Sequence, residues 1–280
     1  MNEVTKERYY KVLLYTASGL SIIILPIIVV WVAINGASAL SWNFLTQPPY
    51  RLTQCGIYPQ IIGSIYLVAL STLFGAPLGI ASAIYLSEYA PNNVITQTVR
   101  FFTETLAGIP SIVIGLFGLE FLVYDLHLKT SLLAGALSLS IMMLPWTIRA
   151  SEEAIKVVPR DFREASLALG ATKWQTILRV VIPAALPGII TGVILGMGKA
   201  IGETAIIWLT AGSGSEGFVP ASLQAPTGSL PMYIYLVATQ AVSGVQHAYG
   251  AALVLILIFL SMSVSALLLR NYFLKKLSGR

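Results

Sequence analysis

Residues 248–270 read AYGAALVLILIFLSMSVSALLLR, a stretch without charge until its final arginine. A helix needs about 20 predominantly apolar residues to cross the hydrocarbon core of a membrane, and this stretch is long enough. Five other stretches pass the same test, at 12–34, 61–86, 101–124, 131–151 and 184–210. The sequence therefore predicts an all-α polytopic membrane protein, a bundle of about six transmembrane helices.

The composition of the chain agrees with a membrane bundle. Charged residues make up 10% of the 280 residues, whereas soluble globular domains contain about 25%. The net charge of +5 does not indicate a nucleic-acid partner, because the basic residues lie between apolar stretches. The single cysteine, Cys55, and the two distant histidines, His127 and His247, predict neither a disulfide nor a metal site. We expect one transmembrane domain over residues 1–280.

The first apolar stretch resembles a signal peptide in two respects. Basic residues precede it, and Ala37-Ser38-Ala39 has the small residues of a cleavage site. However, residues 12–34 are longer than the roughly 7–15 residues of a signal-peptide core. We therefore expect a retained first span.

The distribution of lysine and arginine predicts the orientation of the bundle. Three segments on one side of a six-span bundle hold most of the basic residues: Lys6, Arg8, Lys11, Lys156, Arg160, Arg163, Lys173, Arg179, Arg270, Lys275, Lys276 and Arg280. Segment 211–247 has none, and segment 35–60 has only Arg51. Because basic loops stay in the cytoplasm, we expect both termini and the loop at 152–183 to be cytoplasmic. We expect segment 211–247 to hold a short helix around 233–242, which is too short to span the membrane.

The loop predicted at 152–183 contains the signals of two short helices. Residues 163–169 favour a helix that ends at Gly170, since glycine adopts the left-handed conformation of a C-terminal cap at little cost. Thr172 is a suitable N-cap for a second helix, which we expect to end at Pro183. A pair of amphipathic helices on the lipid surface is one interpretation, and a docking site for a partner protein is the other.

The spacing within this loop resembles the EAA loop of ABC-transporter permeases. That loop has a Glu-Ala-Ala start, a glycine and an Ile-x-Leu-Pro ending, here represented by Glu164, Ala165, Ser166, Gly170 and Pro183. Ser166 replaces the third small residue, and similar aliphatic residues precede the proline. The resemblance implies the fold of a type I ABC importer permease, in which these five residues couple the membrane subunit to an ATPase.

The sequence contains no phosphate-binding loop of the G-x-x-x-x-G-K-[ST] kind. The glycine-rich residues 196–199 lie within an apolar stretch and favour close helix packing instead. No hydrolytic arrangement of catalytic residues is recognisable either. We therefore expect a transporter subunit that is not an enzyme and binds no cofactor, with ATP hydrolysed on a separate subunit.

Three polar segments narrow the resemblance to one kind of permease. They are residues 106–113 (LAGIPSIV), 147–154 (TIRASEEA) and 199–205 (KAIGETA). Together with the loop, they resemble the A-type permease subunit of the phosphate ABC importer. The resemblance implies import of inorganic phosphate across the plasma (inner) membrane, with a homologous permease, an ATPase dimer and an extracellular phosphate-binding protein as partners.

Charged residues inside the predicted spans are the candidates for an anion pathway. Arg149 offers a forked match to a tetrahedral oxyanion, and Lys199 offers a point charge. Glu203 follows Lys199 by four residues, so we expect the two side chains to pair on one helix face and to separate when an anion arrives. The alternatives are a snorkelling side chain for Arg149 and a purely structural pair for Lys199 and Glu203. The phosphate family commonly has arginine where this chain has Lys199, so a bidentate contact is lost there.

Two other functions are open at this point. A permease for another oxyanion, such as molybdate or sulfate, would keep the loop and change the polar residues of the pathway. A channel or ion-coupled carrier without an ATPase is the second, and the EAA-like loop argues against it.

Overall fold

A computed structural model describes residues 3–50, 54–213, 217–240 and 244–277. Arg51 and Arg280, together with the side chains of Lys6 and Lys276, lie outside this described part, as does the end of the predicted 233–242 helix. The elements are, in chain order, α1 (Glu3–Ala37), α2 (Trp42–Thr46), β1 (Pro49–Tyr50), β2 (Gln54–Cys55), α3 (Tyr58–Ile84), the π-helical turn π1 (Tyr85–Tyr89), α4 (Val94–Gly108), α5 (Ser111–Phe117), π2 (Gly118–Asp125), α6 (Leu132–Val157), α7 (Arg160–Ala168), α8 (Lys173–Thr176), π3 (Ile177–Val181), α9 (Ile182–Ile201), α10 (Ala205–Thr210), α11 (Leu230–Gln240) and α12 (Val245–Leu277).

The prediction of an all-α membrane bundle is confirmed. Within the described residues, β1 and β2 form one short antiparallel pair, and the other elements are helical. In the part of the chain that the structure describes, five helical stretches are long and apolar enough to cross a membrane: Tyr10–Ala37, Tyr58–Tyr89, Leu132–Val157, Lys173–Ile201 and Val245–Tyr272. Helices α4 and α5 form a sixth crossing only if the bent pair is taken as one span.

Two of the predicted spans are not single helices. The prediction of one helix over 101–124 is wrong, because α4 and α5–π2 meet at an angle of 106°. Pro110 has no N–H to donate, and it holds Ile109 in an extended conformation with ψ of 132°, so the helix ends before it. The prediction of one helix over 184–210 is wrong as well, since α9 ends at Ile201 and α10 begins at Ala205.

Helix α6 forms the centre of the bundle, packed between α3 and α9. Both neighbours approach Thr147 at a glycine: a Cβ atom on Gly79 of α3 or Gly196 of α9 would lie less than 3.0 Å from the Thr147 side chain. Lipid tails are as apolar as the helix surfaces, so helices in a membrane associate by such close packing of small residues. The glycine-rich residues 196–199 therefore have the packing role expected for them.

The two ends of the bundle are connected differently. At one end, Trp31 Nε1 of α1 donates a hydrogen bond of 3.3 Å to the Tyr249 hydroxyl of α12. At the other end, the turn after α3 contacts the loop between α6 and α8 through an ion pair of Glu88 with Arg163. Helix α11 has 11 residues and packs on α12 and α3, which confirms a short helix in this part of the chain.

Candidate functional site

The end of α7 is closed by glycine as the sequence predicts. Gly170 has a φ of +84°, and its N–H donates to the Leu167 carbonyl at 2.9 Å. The N–H of Ala171 donates to the Ser166 carbonyl at 3.2 Å. These two bonds form a Schellman motif, which satisfies carbonyls at the end of the helix and turns the chain sharply.

The start of the second helix also follows the prediction. The Thr172 hydroxyl accepts a hydrogen bond from the N–H of Gln175, and the Gln175 side chain accepts one from the N–H of Thr172. This reciprocal capping box fixes the first turn of α8. The geometry of the turn between α7 and α8 therefore rests on bonds that the local sequence encodes.

The prediction that this second helix ends at Pro183 is wrong. Residues Lys173–Ile201 form one helical stretch, in which the π3 turn ends at Val181, two residues before Pro183. A π turn has a wider hydrogen-bonding pattern than an α-helix, so it accommodates a proline that lacks an N–H and clashes with the preceding turn. One continuous helix thus joins the turn between α7 and α8 to Lys199.

The surface of the coupling loop, meaning residues 159–176, is both polar and apolar. Glu164 and Ala165 are exposed, whereas the Ser166 hydroxyl lies 2.9 Å from the Thr176 hydroxyl and joins α7 to the end of α8. Large apolar side chains are exposed beside them, with Leu169 90% and Trp174 55% exposed. An exposed apolar group of this size at the end of a bundle is typical of a protein–protein contact.

Arg149 lies between two carboxylates. Its Nη1 is 2.8 Å from Glu104 Oε1 of α4, and its Nε is 2.9 Å from Glu153 Oε1 one turn along α6. The Arg149 side chain is 50% exposed, so it is accessible although its charge is compensated. It therefore pairs with a carboxylate on its own helix and with one on α4.

A second ion-pair cluster lies next to Arg149, and sequence reasoning missed it. Glu152 is only 3% exposed and lies 2.9 Å from Arg100 Nε of α4 and 2.6 Å from Lys156 Nζ. A carboxylate buried to this degree needs such partners, because an unpaired charge in a low-dielectric site is costly. The four-residue spacing of Glu152 and Lys156 on α6 is the one sequence signal from which part of this cluster could be predicted.

Lys199 and Glu203 do not pair, so the predicted ion pair is wrong. Helix α9 ends at Ile201, and Gly202 turns the chain, so the four-residue spacing no longer places the two side chains on one helix face. Glu203 Oε1 instead accepts hydrogen bonds from the N–H groups of Thr204 and Ala205, at 3.1 and 3.0 Å. The Glu203 carboxylate therefore bonds backbone N–H groups at the start of α10, which have no partner inside the helix.

Lys199 is exposed and faces an aromatic ring. Its Nζ lies 4.8 Å from the centroid of the Trp146 ring on α6, a cation–π contact. Trp146 precedes Arg149 by three residues, so the two lie on neighbouring turns of the same helix face. Helix α6 thereby brings the two basic candidates, Arg149 and Lys199, to one side of the bundle.

Similarity to known sequences extends over most of the chain. Residues 75–279 match the family described as binding-protein-dependent transport system inner membrane component. The chain is 36% identical over 263 residues to the probable ABC transporter permease protein YqgI of Bacillus subtilis, covering 89% of this chain and 90% of the relative. It is 35% identical over 258 residues to the probable phosphate transport system permease protein PstA of Methanocaldococcus jannaschii, covering 91% of each.

Solved structures with low sequence identity have the same fold. A chain of the inward-facing MetNI methionine ABC transporter aligns with a TM-score of 0.64 at 19% identity, covering 78% of this chain and 95% of that one. A chain of a bacterial ABC transporter that imports the acidic polysaccharide alginate aligns with a TM-score of 0.65 at 17% identity, covering 97% and 99%. The fold is therefore that of a type I ABC importer permease, and the chain, a multi-pass protein of the inner membrane, belongs to the family of inner-membrane components of binding-protein-dependent transport systems.

Proposed function

We propose that the chain is the permease subunit of an ATP-driven importer that carries inorganic phosphate across the plasma membrane. The observation that carries this proposal is the 35% identity to a phosphate transport permease over 91% of both chains. A second phosphate transport permease, PstA 1 of Mycobacterium tuberculosis, is 36% identical over 216 residues and supports the same solute. The segments at 147–154 and 199–205, which resemble the phosphate family, hold the two basic candidates.

The proposed pathway uses Lys199 as the first contact for the anion. Lys199 contacts the uncharged ring of Trp146, whereas Arg149 already lies between the carboxylates of Glu104 and Glu153. A cation without a carboxylate partner attracts a phosphate more strongly than one whose charge is compensated. Arg149 then offers its fork to the phosphate as the anion displaces a carboxylate. Glu203 keeps the start of α10 in place beside this path.

The proposed partners are a homologous permease, an ATPase dimer that hydrolyses ATP, and an extracellular phosphate-binding protein. The exposed apolar residues of the coupling loop, among them Leu169 and Trp174, support docking of an ATPase subunit there. Glu164, Ala165, Ser166, Gly170 and Pro183 keep the roles that the EAA resemblance implies. The proposed orientation has both termini and the coupling loop in the cytoplasm, supported by the basic residues at those places.

Force from the ATPase reaches the pathway through a continuous helix in this proposal. Lys173–Ile201 runs without a break from the coupling loop to the residue before Gly202. A packed helix moves as a rigid element, so a displacement of the loop shifts Lys199 at its far end.

The experiment that tests this function is uptake of radiolabelled phosphate into vesicles that contain the chain with its permease partner, ATPase and binding protein. We expect uptake that requires ATP and resists an excess of sulfate or molybdate. ATP-dependent uptake of sulfate or molybdate in place of phosphate would keep the importer and reject phosphate as its solute, and uptake without ATP would reject the importer.

A further inference from the structure

The junction between π1 and the coupling loop contains an ion pair outside the proposed pathway and the EAA-like residues. Arg163 Nη2 lies 2.8 Å and its Nε 3.2 Å from Glu88 Oε1. The side chains are only 19% and 10% exposed. Two nitrogen atoms of one guanidinium thus hold a single carboxylate oxygen in a largely buried place.

Arg163 also binds the end of α6. Its Nη2 donates to the Ile155 carbonyl at 2.9 Å, and its Nη1 donates to the Val158 carbonyl at 2.5 Å. Ile155 lies in the last turn of α6, where its carbonyl also accepts the Val158 N–H, and Val158 is the residue that follows the helix. One guanidinium therefore joins α6, α7 and the turn after α3.

The second helix of the loop contacts the same turn. Lys173 Nζ donates to the Glu88 carbonyl at 2.5 Å and lies 4.5 Å from the centroid of the Tyr89 ring. Lys173 is the first residue of α8, and therefore of the continuous helix that ends at Ile201. Both short helices of the coupling loop thus hold residues 88–89 of π1.

These contacts join helix α3 to the coupling loop, although α3 and the loop are not adjacent in the sequence. Helix α9 continues from the loop, and α6 leads into it, whereas α3 is separated from α7 in sequence by α4, α5 and α6. Helix α3 packs along both α6 and α9, so it has to move with them if the bundle shifts as a unit.

We propose that Glu88 is a positioning residue that transmits the movement of the coupling loop to α3 through its ion pair with Arg163. This inference rests on the proposed function, because it requires a loop that an ATPase displaces. The buried pair resists separation, since breaking it leaves a charge without a partner at low exposure. Helices α3 and α9 consequently move together when the loop moves.

The test is the ratio of phosphate transported to ATP hydrolysed by the complete importer in vesicles. Glu88→Gln keeps the size of the side chain and removes its charge. We expect the ratio to fall about tenfold, with complex assembly and hydrolysis retained, because the ATPase still docks on the exposed residues of the loop. Glu88→Asp should recover part of the ratio, since it restores the charge.

Arg179→Gln provides the matched control, because it removes an exposed charge from the adjoining π3 turn. This control should leave the ratio unchanged. An unchanged ratio in Glu88→Gln, or a loss of complex assembly in that variant, would overturn the positioning role. Absence of ATP-dependent uptake in the unmutated complex would instead reject the proposed function, and the inference with it, so the two failures are distinguishable.

Discussion

The coupling loop and the break between α9 and α10 are both turns between helices, but their bonds come from different sources. At the loop, Gly170 closes one helix and Thr172 opens the next with bonds between residues close in sequence. At the break, Glu203 bonds to the backbone that follows it, and Lys199 contacts a ring on another helix. The loop is therefore a rigid shape for a partner, whereas the break leaves a cation accessible to a solute.

The same comparison separates two uses of charge. Near the loop, Glu88 and Arg163 form a largely buried pair that joins elements. Just before the break, Lys199 is exposed, and Arg149 on the adjacent helix α6 is half exposed. Buried pairs fix geometry, and accessible cations attract an anion. Substitutions in the two regions should consequently affect transport in different ways.

Gly170→Val should have the largest effect, because it acts on the shape of the loop. No atom lies within 4 Å of the position that a Cβ would take, so the penalty comes from the φ of +84° and is about 1–2 kcal/mol or more for a β-branched residue. We expect ATP-driven uptake to be nearly lost while membrane insertion stays normal, which uptake assays and membrane fractionation measure.

Gly19→Val is the matched control for this substitution. Gly19 lies within α1, also without an atom within 4 Å, and its φ is not positive. This control should transport normally. Normal uptake by Gly170→Val would argue that the loop does not need its left-handed turn and would weaken the contrast between the two regions.

Lys199→Gln should have the second-largest effect on uptake, because it removes the accessible cation just before the break. Loss of a charge-assisted hydrogen bond costs roughly 1.5–3 kcal/mol, which corresponds to about tenfold or more in uptake at low phosphate concentration. ATPase assembly should be unaffected, as judged by co-purification. Lys199→Arg should retain uptake, since it keeps the charge and adds a fork. Equal uptake by Lys199→Gln and the unmutated chain would make Lys199 a structural residue.

The two regions also differ in how far the sequence predicts them. The caps at Gly170 and Thr172 depend on neighbouring residues, so local patterns predict them correctly. The continuation of the helix through Pro183 depends on a π turn, and the bonding of Glu203 depends on where α9 ends, which the four-residue spacing does not indicate. Four of the six apolar stretches coincide with continuous helical spans, because membrane thickness sets their length, whereas the stretches at 101–124 and 184–210 are broken.

Contacts between distant residues escape the sequence for a different reason. The ion pair of Glu88 with Arg163 spans 75 positions, and that of Arg149 with Glu104 spans 45. Such pairs depend on which helices become neighbours, and hydropathy does not specify that. The sequence consequently identifies Arg149, Lys199 and Glu203 as candidate residues of the pathway. It predicts incorrectly that Lys199 and Glu203 pair with each other.

Arg149→Gln should have the smallest effect of these substitutions on uptake, because the charge it removes is already compensated. Its loss leaves Glu104 and Glu153 without their shared cation, and two unneutralised carboxylates repel an anion. We expect uptake to fall about threefold, in line with the modest energies of exposed ion pairs. The double variant Arg149→Gln/Glu104→Gln removes one of those carboxylates, so uptake should recover only in part, because the fork that Arg149 offers to the phosphate stays absent. Full recovery in the double variant would show that Arg149 only neutralises the carboxylates, and Lys199 would then be the cation that contacts the phosphate.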